Sequence, residues 1–156
     1  MLYFPKIFFS LLLIPYLNVG FAQSRMQTVE LLLKSKQFIF VPVSVNPLSG
    51  RTRYLDGYFD LKLKNDSLVS YLPYFGRTTM APIGSDDTGM RFTSTDFSYF
   101  YKQGKKGSYY VVIQVKDNAN SNKFYLTVYE NYTALLVASS NFRDQITFRG
   151  DIRELK

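Results

Sequence analysis

The chain has 156 residues, with 14 Phe, 13 Tyr and no Trp, and carries a formal charge of +7. It contains neither His nor Cys, which excludes Ser-His-Asp and Cys-His catalysis, metal sites built on imidazole or thiolate, and disulfide bonds. A chain of this length is the size of one domain, and its core can be large enough for stability without cross-links.

Residues 1–22 have the organisation of a signal peptide. Lys6 supplies a positive charge, residues 7–16 are almost wholly apolar, and small residues precede the predicted cleavage after Ala22. The apolar run is shorter than the roughly 20 residues that a membrane span needs, so we expect no transmembrane segment in the mature chain. Residues 23–156 are predicted to form a single β-rich domain that is periplasmic or secreted.

A short amphipathic helix is predicted for residues 24–37. Its apolar face has helical spacing and consists of Met26, Val29, Leu32 and Leu33. From Gln37 the apolar period changes to two, which predicts a strand. Its two faces are expected to be Ile39, Val41, Val43 and Val45 on one side and Phe38 and Phe40 on the other. Residues 51–57 are mixed in character and are expected to form a loop or an irregular edge.

The rest of the chain consists of short segments with strand periodicity. Phe59, Leu61 and Leu63 alternate with charged residues, and similar alternation recurs after Met90. Turns are predicted where small and polar residues cluster, at residues 65–66, 103–107, 118–122 and 130–131. Residues 77–89 are expected to form an exposed loop, and the polar residues 151–156 are expected to fray.

About eight strands joined by short loops predict a mainly β fold, an antiparallel meander that forms a barrel or a strongly curved sheet. Parallel βαβ units are excluded because crossover helices are missing. The single N-terminal helix is expected to plug an open end of the sheet or to cover one of its faces. Periodicity does not decide whether the sheet closes, because closure depends on the stagger between strands.

One stretch, Tyr71-Leu72-Pro73-Tyr74-Phe75-Gly76-Arg77, is more specific than strand pairing requires. Pro73 should end the preceding strand, and the rings of Tyr74 and Phe75 follow at once. In one interpretation both rings close an end of the core, the Tyr hydroxyl finds a partner and Arg77 is solvated. In the other, Tyr74, Phe75 and Arg77 form the lip of a ligand-binding site, because aromatic residues and Arg are enriched at binding hot spots.

The order of sequence features resembles a known family of small exported bacterial proteins, the domain of unknown function 4251. The resemblance rests on Lys36-Gln37-Phe38-Ile39-Phe40, Leu72-Pro73-Tyr74-Phe75-Gly76-Arg77, Met90-Arg91-Phe92-Thr93-Ser94 and Ile146-Thr147-Phe148-Arg149-Gly150. It implies export in a bacterium and one compact domain. No activity is assigned to the family, so the resemblance supplies no catalytic residue.

Carboxylates are the catalytic groups that remain. Asp87-Thr88-Gly89 spells the triplet of an aspartic protease, but such a dyad needs a second carboxylate, and a polar segment precedes it instead of an apolar strand. Asp86 and Asp87 lack the alternating spacing of a calcium loop. We therefore expect no metal, no cofactor and no enzymatic activity, with a hydrolase that uses carboxylates alone as a remote alternative.

A basic patch is predicted at one hairpin tip, where Lys102, Lys105 and Lys106 come together. These lysines could serve only solubility and protection of a sheet edge. Alternatively they attract anionic envelope components, such as lipid headgroups or acidic glycans. Nucleic acid is not expected as a partner of an exported protein.

The aromatic content favours a non-enzymatic envelope protein that binds a small apolar or amphipathic ligand, with residues 74–77 at the mouth of the site. The alternative function is a structural or interaction module. Such a module would dock on an envelope protein or an anionic surface component through a sheet edge or the basic hairpin. The oligomeric state is not predicted.

Overall fold

The computed structural model describes residues 28–75, 89–117 and 122–155. Residues 28–35 form the helix α1, and ten strands follow it. In chain order the strands are β1 (Gln37–Pro47), β2 (Arg53–Tyr54), β3 (Asp60–Lys64), β4 (Ser67–Leu72), β5 (Met90–Ser94), β6 (Phe97–Gln103), β7 (Tyr109–Val115), β8 (Lys123–Val128), β9 (Thr133–Ser139) and β10 (Ile146–Glu154). The predicted signal peptide, Arg77 and most of the predicted loop at 77–89 lie outside the described residues.

All strand pairs are antiparallel, in the order β5-β4-β3-β1-β10-β9-β8-β7-β6, with β2 paired to β1 beside this path. The two end strands, β5 and β6, are consecutive in the chain and are joined by only Thr95 and Asp96. The ends of the sheet therefore meet at this turn, and the sheet is a nearly closed barrel. This confirms the predicted antiparallel β fold, although the path has nine strands instead of about eight.

Asp117, just after β7, holds the turn at which the two ends of the sheet meet. Its carboxylate accepts hydrogen bonds from the Ser94 hydroxyl at 2.6 Å and from the amides of Thr95 and Asp96 at 3.0 and 3.2 Å. The Ser94 hydroxyl contributes most to lowering the pKa of Asp117 below its usual value. The amide of Lys116 also donates to the Asp96 carbonyl oxygen at 2.9 Å, so the end of β7 is bonded to the turn.

Large apolar side chains fill the barrel, as the period-two pattern predicts. Twelve of them are almost completely buried: Phe38, Phe40, Phe124, Phe148, Leu33, Leu61, Leu63, Leu68, Leu72, Ile113, Leu126 and Leu136. The rings of Phe92 and Phe124 stack with centroids 6.0 Å apart, which joins β5 to β8, a strand that is not its neighbour in the sheet. The core is therefore continuous across the barrel.

A β-bulge in β1 corrects one sequence prediction. The register with β10 shifts between Pro42 and Ser44, so Val43 lies outside the barrel while Val45 is fully buried. The prediction that Val43 and Val45 share a face was wrong because the extra residue reverses the alternation. Opposite the bulge, a Cβ atom at Gly150 would overlap the carbonyl of Val41, which explains the glycine there.

The helix α1 closes one end of the barrel, which is one of the two placements predicted from the sequence. Leu33 is fully buried, and its carbonyl oxygen accepts a hydrogen bond from the Tyr99 hydroxyl at 2.9 Å. The Tyr109 hydroxyl donates to the Glu30 carboxylate at 3.3 Å. Burial raises the pKa of both tyrosines, and the charge of Glu30 adds to the effect at Tyr109. We refer to this end of the barrel as the helix end.

Two predicted boundaries were wrong. The helix does not continue to residue 37, because Lys36 takes a positive φ of 53° and β1 begins at Gln37. The C-terminal residues do not fray, because β10 continues to Glu154 and pairs with β1, with Ile152 buried opposite Phe40. In the described part of the chain, no helix has the length and apolar character required to cross a membrane.

Candidate functional site

The corner after β4 separates the two rings of the central stretch. Strand β4 ends at Leu72, just before Pro73, as predicted. Tyr74 is only 6% exposed and its hydroxyl donates to the Asp144 carbonyl oxygen at 3.1 Å, whereas Phe75 is 37% exposed. Burial, and after it the charge of Asp144, raises the pKa of Tyr74. Tyr74 therefore belongs to the core, and Phe75 lies at the surface.

Three arginines cover the rings near this corner. The guanidinium carbons of Arg143 and Arg53 lie 5.0 Å from the ring centroids of Tyr74 and Phe75, respectively. Arg91 lies 4.4 Å from the centroid of Tyr71. We call these residues the corner cluster: Arg53, Tyr71, Tyr74, Phe75, Arg91 and Arg143. A guanidinium over a ring face gains cation–π attraction while its edge still reaches water or another acceptor.

Arg143 has a second contact that fixes it at the corner. Its Nη1 donates to the Gly89 carbonyl oxygen at 2.7 Å, at the start of β5. Arg143 therefore connects the segment between β9 and β10 to the beginning of β5 and to the ring of Tyr74. Arg77, the third predicted site residue, lies outside the described residues, so the predicted lip of Tyr74, Phe75 and Arg77 stays a prediction.

A groove lies on the outer wall of the barrel, across β1, β2, β10 and β9. It has two adjoining compartments, and both are lined by Ser44, Tyr54, Leu135 and Arg149. The larger one, about 590 Å³, adds Val43 and Tyr129, together with Thr133, Ala134, Gly150 and Asp151. The smaller one, about 430 Å³, adds the polar side chains of Asn46, Thr52 and Thr147. We call the two compartments together the outer groove.

Strand register places the residues shared by both compartments in one row. Ser44 lies opposite Tyr54 on one side and opposite Arg149 on the other, and Arg149 lies opposite Leu135. Residues directly opposite each other in an antiparallel sheet point to the same face. The bulge in β1 adds Val43 to this outer face. The outer groove is thus a consequence of register and of the bulge.

Of the two charged residues in the outer groove, only the acidic one has an ion-pair partner among the described residues. The Asp151 carboxylate lies 3.9 Å from the guanidinium of Arg153. Arg149 is exposed and has no ion-pair partner within residues 28–75, 89–117 and 122–155. The outer groove therefore combines apolar surface, two tyrosine rings and an unneutralised guanidinium. Such a guanidinium can bind a carboxylate or phosphate through two parallel hydrogen bonds.

The two-residue strand β2 connects the outer groove to the corner cluster. Arg53 covers the ring of Phe75, and the next residue, Tyr54, lines both compartments of the groove. Sequence reasoning missed this connection because residues 51–57 were expected to form a loop or an irregular edge. The pairing of Arg53 and Tyr54 with Val45 and Ser44 has no periodic signal in so short a strand.

The predicted basic patch is on the surface. Lys102 lies on β6, while Lys105 and Lys106 lie in the turn between β6 and β7, and all three are exposed. Lys106 takes a positive φ of 53°, and the Ser108 hydroxyl closes the turn by donating to the Lys105 carbonyl oxygen at 2.8 Å. The three lysines therefore lie at the hairpin that joins β6 to β7, as their positions in the sequence predict.

The described parts of the chain contain no cluster of three acidic side chains that could hold a metal ion. Asp86 and Asp87, including the protease-like triplet, lie outside them. The features with binding chemistry in the described residues include the outer groove, the corner cluster and the basic patch.

Comparison with known proteins is consistent with the described fold. A crystal structure of a DUF4251 family protein from Bacteroides eggerthii DSM 20697, at 1.95 Å resolution, is similar with a TM-score of 0.59 and 14% sequence identity. The similarity covers 84% of this chain and 88% of that one. No curated protein matches the chain. A family model described as domain of unknown function (DUF4251) matches residues 22–152. The chain therefore belongs to the DUF4251 family.

Proposed function

We propose that the protein is an exported bacterial envelope protein without enzymatic activity, and that it binds a small amphipathic ligand with an anionic group in the outer groove. The observation that carries this proposal is the unneutralised guanidinium of Arg149, which lines both compartments of the groove together with apolar and aromatic residues. The signal-peptide pattern of residues 1–22 supports export, and the lack of His and Cys supports a binding role.

The size of the outer groove fits a small molecule. Ligand pockets in proteins have volumes of about 300 to 1,000 Å³, and the two compartments measure about 590 and 430 Å³. The barrel interior, by contrast, is occupied by buried side chains such as Phe38, Phe124 and Phe148. We therefore place the ligand on the outer wall and not inside the barrel.

The arrangement of side chains suggests how the ligand is oriented. The apolar part would lie against Val43 and Leu135, between the rings of Tyr54 and Tyr129. The anionic group would bind Arg149 from the smaller compartment, because Asp151, which lines only the larger one, repels it. In the smaller compartment, the Thr52 hydroxyl donates to Asn46 Oδ1 at 3.2 Å, which leaves the Asn46 amide hydrogens for a ligand oxygen.

Titration calorimetry of the purified protein with decanoate, and separately with decanol, tests this proposal. Decanoate has a carboxylate at one end of an apolar chain, and decanol lacks the charge. We expect decanoate to bind more tightly than decanol. Arg149→Gln should lower the affinity for decanoate about 10-fold to 100-fold, the range for a hydrogen bond to a charged group, and change the affinity for decanol little.

Arg51→Gln is the control, because it removes an exposed guanidinium that lines neither compartment of the groove. It should leave the decanoate affinity within a factor of two. Equal loss of affinity in both variants would reject Arg149 as the anion-binding group. Binding of decanoate that is insensitive to Arg149→Gln would place the site elsewhere and reject the proposal.

A further inference from the structure

The outer face of β6, β7 and β8 lies on a part of the barrel wall that is not included in the outer groove. Strand register arranges nine outward residues of these strands as three rows of three. The rows are Ser98, Gln114 and Lys123; Phe100, Val112 and Tyr125; and Lys102, Tyr110 and Thr127. We call these nine residues the β6–β8 face. Phe100, Tyr125 and Tyr110 are 58%, 45% and 41% exposed, so this face presents three rings to solvent.

The charges on the β6–β8 face have one sign. None of its nine residues is Asp or Glu, while Lys102 and Lys123 lie in its two outer rows. Lys105 and Lys106 extend the charge beyond Lys102 at the hairpin tip. None of these four lysines forms a salt bridge with any residue that the structure describes.

Two cations on other strands have acidic neighbours. Lys62 on β3 pairs with Asp60 at 2.8 Å, and Arg153 on β10 lies 3.9 Å from Asp151. The β6–β8 face lacks such compensation, so its positive potential is directed outward. A soluble surface usually mixes charges of both signs and exposes few large apolar side chains. The combination of lysines with three exposed rings therefore suggests a binding partner.

We infer that the β6–β8 face docks on the surface of a bilayer that contains anionic lipids. Outside the outer groove the wall of a barrel is convex, so this face suits a deformable, extended surface better than a small ligand. Tyr and other aromatic side chains favour the boundary between headgroups and acyl chains, where the ring is apolar and the hydroxyl remains hydrated. Lysines add attraction to anionic headgroups, worth about fivefold in affinity for each one near the surface.

Sedimentation with vesicles tests this inference. The purified protein is mixed with vesicles of phosphatidylglycerol and phosphatidylcholine in equal parts, or with vesicles of phosphatidylcholine alone. We expect binding to the anionic vesicles that weakens with added salt, and much weaker binding to the zwitterionic ones. The triple change Lys102→Gln, Lys105→Gln and Lys106→Gln should lower the partition coefficient about 100-fold, as the product of three such factors.

A triple control with the same change in net charge separates the face from charge in general. Arg51→Gln, Lys64→Gln and Arg153→Gln remove three exposed cations elsewhere and should lower the partition coefficient less than fivefold. Two further variants test the contribution of the aromatic rings. Phe100→Ser combined with Tyr125→Ser should weaken binding about tenfold or more, whereas Tyr58→Ser, which removes an almost fully exposed ring, should not.

Several outcomes would overturn the inference. Equal loss in the two triple variants would assign the effect to net charge. Absence of sedimentation with anionic vesicles would reject the bilayer, and binding to a soluble acidic glycan in its place would assign the face to that partner. Arg149→Gln should leave vesicle binding unchanged, so this inference and the outer-groove proposal can fail separately. Circular dichroism establishes that each variant is folded.

Discussion

The two ends of the barrel are closed by aromatic residues in different ways. At the helix end, Tyr99 and Tyr109 donate hydrogen bonds from neutral hydroxyls to a carbonyl and a carboxylate of α1. In the corner cluster, Arg143 and Arg53 cover the rings of Tyr74 and Phe75. At the helix end, the contact between α1 and the barrel thus requires that Tyr99 and Tyr109 stay protonated. In the corner cluster, the contacts are made by charged arginines near the surface. We infer that stability depends more on the helix end, and that the corner cluster is freer to respond to a partner.

Truncation of one apolar side chain at each end of the barrel tests this comparison. It has the largest expected effect on the free energy of unfolding. Leu33→Ala should lower the free energy of unfolding by about 2 to 5 kcal/mol, because Leu33 is fully buried between α1 and the barrel. Phe75→Ala should cost less than about 1.5 kcal/mol, because its ring is already more than one third exposed. Urea denaturation monitored by circular dichroism measures both. A loss at Phe75 as large as that at Leu33 would show that the two ends contribute equally to stability.

A hydroxyl deletion gives a smaller effect with a characteristic pH dependence. At pH 7, Tyr99→Phe should lower the free energy of unfolding by about 1 kcal/mol, because it removes the bond to the Leu33 carbonyl. Burial raises the folded-state pKa of Tyr99 far above its ordinary value of 10.0. A raised pKa stabilises the fold fully below the unfolded-state value and progressively less as the pH rises above it. The wild type should therefore lose stability above about pH 10, and the deficit of Tyr99→Phe should shrink there.

Urea denaturation between pH 7 and pH 11.5 checks the pH dependence. The control is Tyr129→Phe, a half-exposed tyrosine whose hydroxyl makes no hydrogen bond within the described residues. It should change the free energy of unfolding at pH 7 by less than about 0.5 kcal/mol. A deficit of Tyr99→Phe that stays constant across this range would mean that the Tyr99 hydroxyl ionises in the folded state.

Within the corner cluster, Arg143 is held by a hydrogen bond as well as by its contact with a ring. Arg143→Ala should lower the free energy of unfolding by about 1 to 2 kcal/mol, because it removes both the charged hydrogen bond to the Gly89 carbonyl and the contact with a buried ring. Arg143→Lys retains the charge but not the planar group, and should recover only part of the loss. Thermal unfolding of both variants measures this. Complete recovery by Lys would indicate that charge alone, without the planar contact, stabilises this corner.

The sequence predicted those parts of the structure that depend on local pattern. Leu61 and Leu63 are buried between charged neighbours, as their alternation with Asp60 and Lys62 predicts. The burial of Tyr74 agrees with its interpretation as a core residue. Val45 was assigned to the wrong face because a one-residue bulge leaves no periodic mark. Ile152, within the predicted frayed end, is buried because it pairs with Phe40, a residue far away in the chain.

The outer groove could not have been predicted from local pattern either, because it depends on pairing between residues that are far apart in the chain. Its shared residues, Ser44, Arg149 and Leu135, come from three strands that are distant in sequence and meet only through register. Arg149 was recognisable as one of several basic residues near the C-terminus, but its lack of a carboxylate partner depends on which side chains pack beside it. The corner stretch was easier to identify because its Pro and two rings are contiguous.

Substitution of Arg53 tests whether a change in the corner cluster alters ligand binding in the outer groove. Its expected effect on stability is the smallest of those predicted. Its cation–π contact is at an exposed site, where such contacts contribute about 0.5 to 1 kcal/mol at most. Arg53→Ala should therefore lower the free energy of unfolding by about 0.5 kcal/mol, the lower end of this range. If the proposed site is correct, losing this contact should free β2 to move, displace Tyr54 from the groove and weaken decanoate binding about threefold. Arg51→Ala, two residues earlier and also exposed, is the matched control and should change neither quantity. Reduced decanoate affinity with unchanged stability would support a coupling through β2, whereas a large loss of stability would show that the corner is as important to the fold as the helix end.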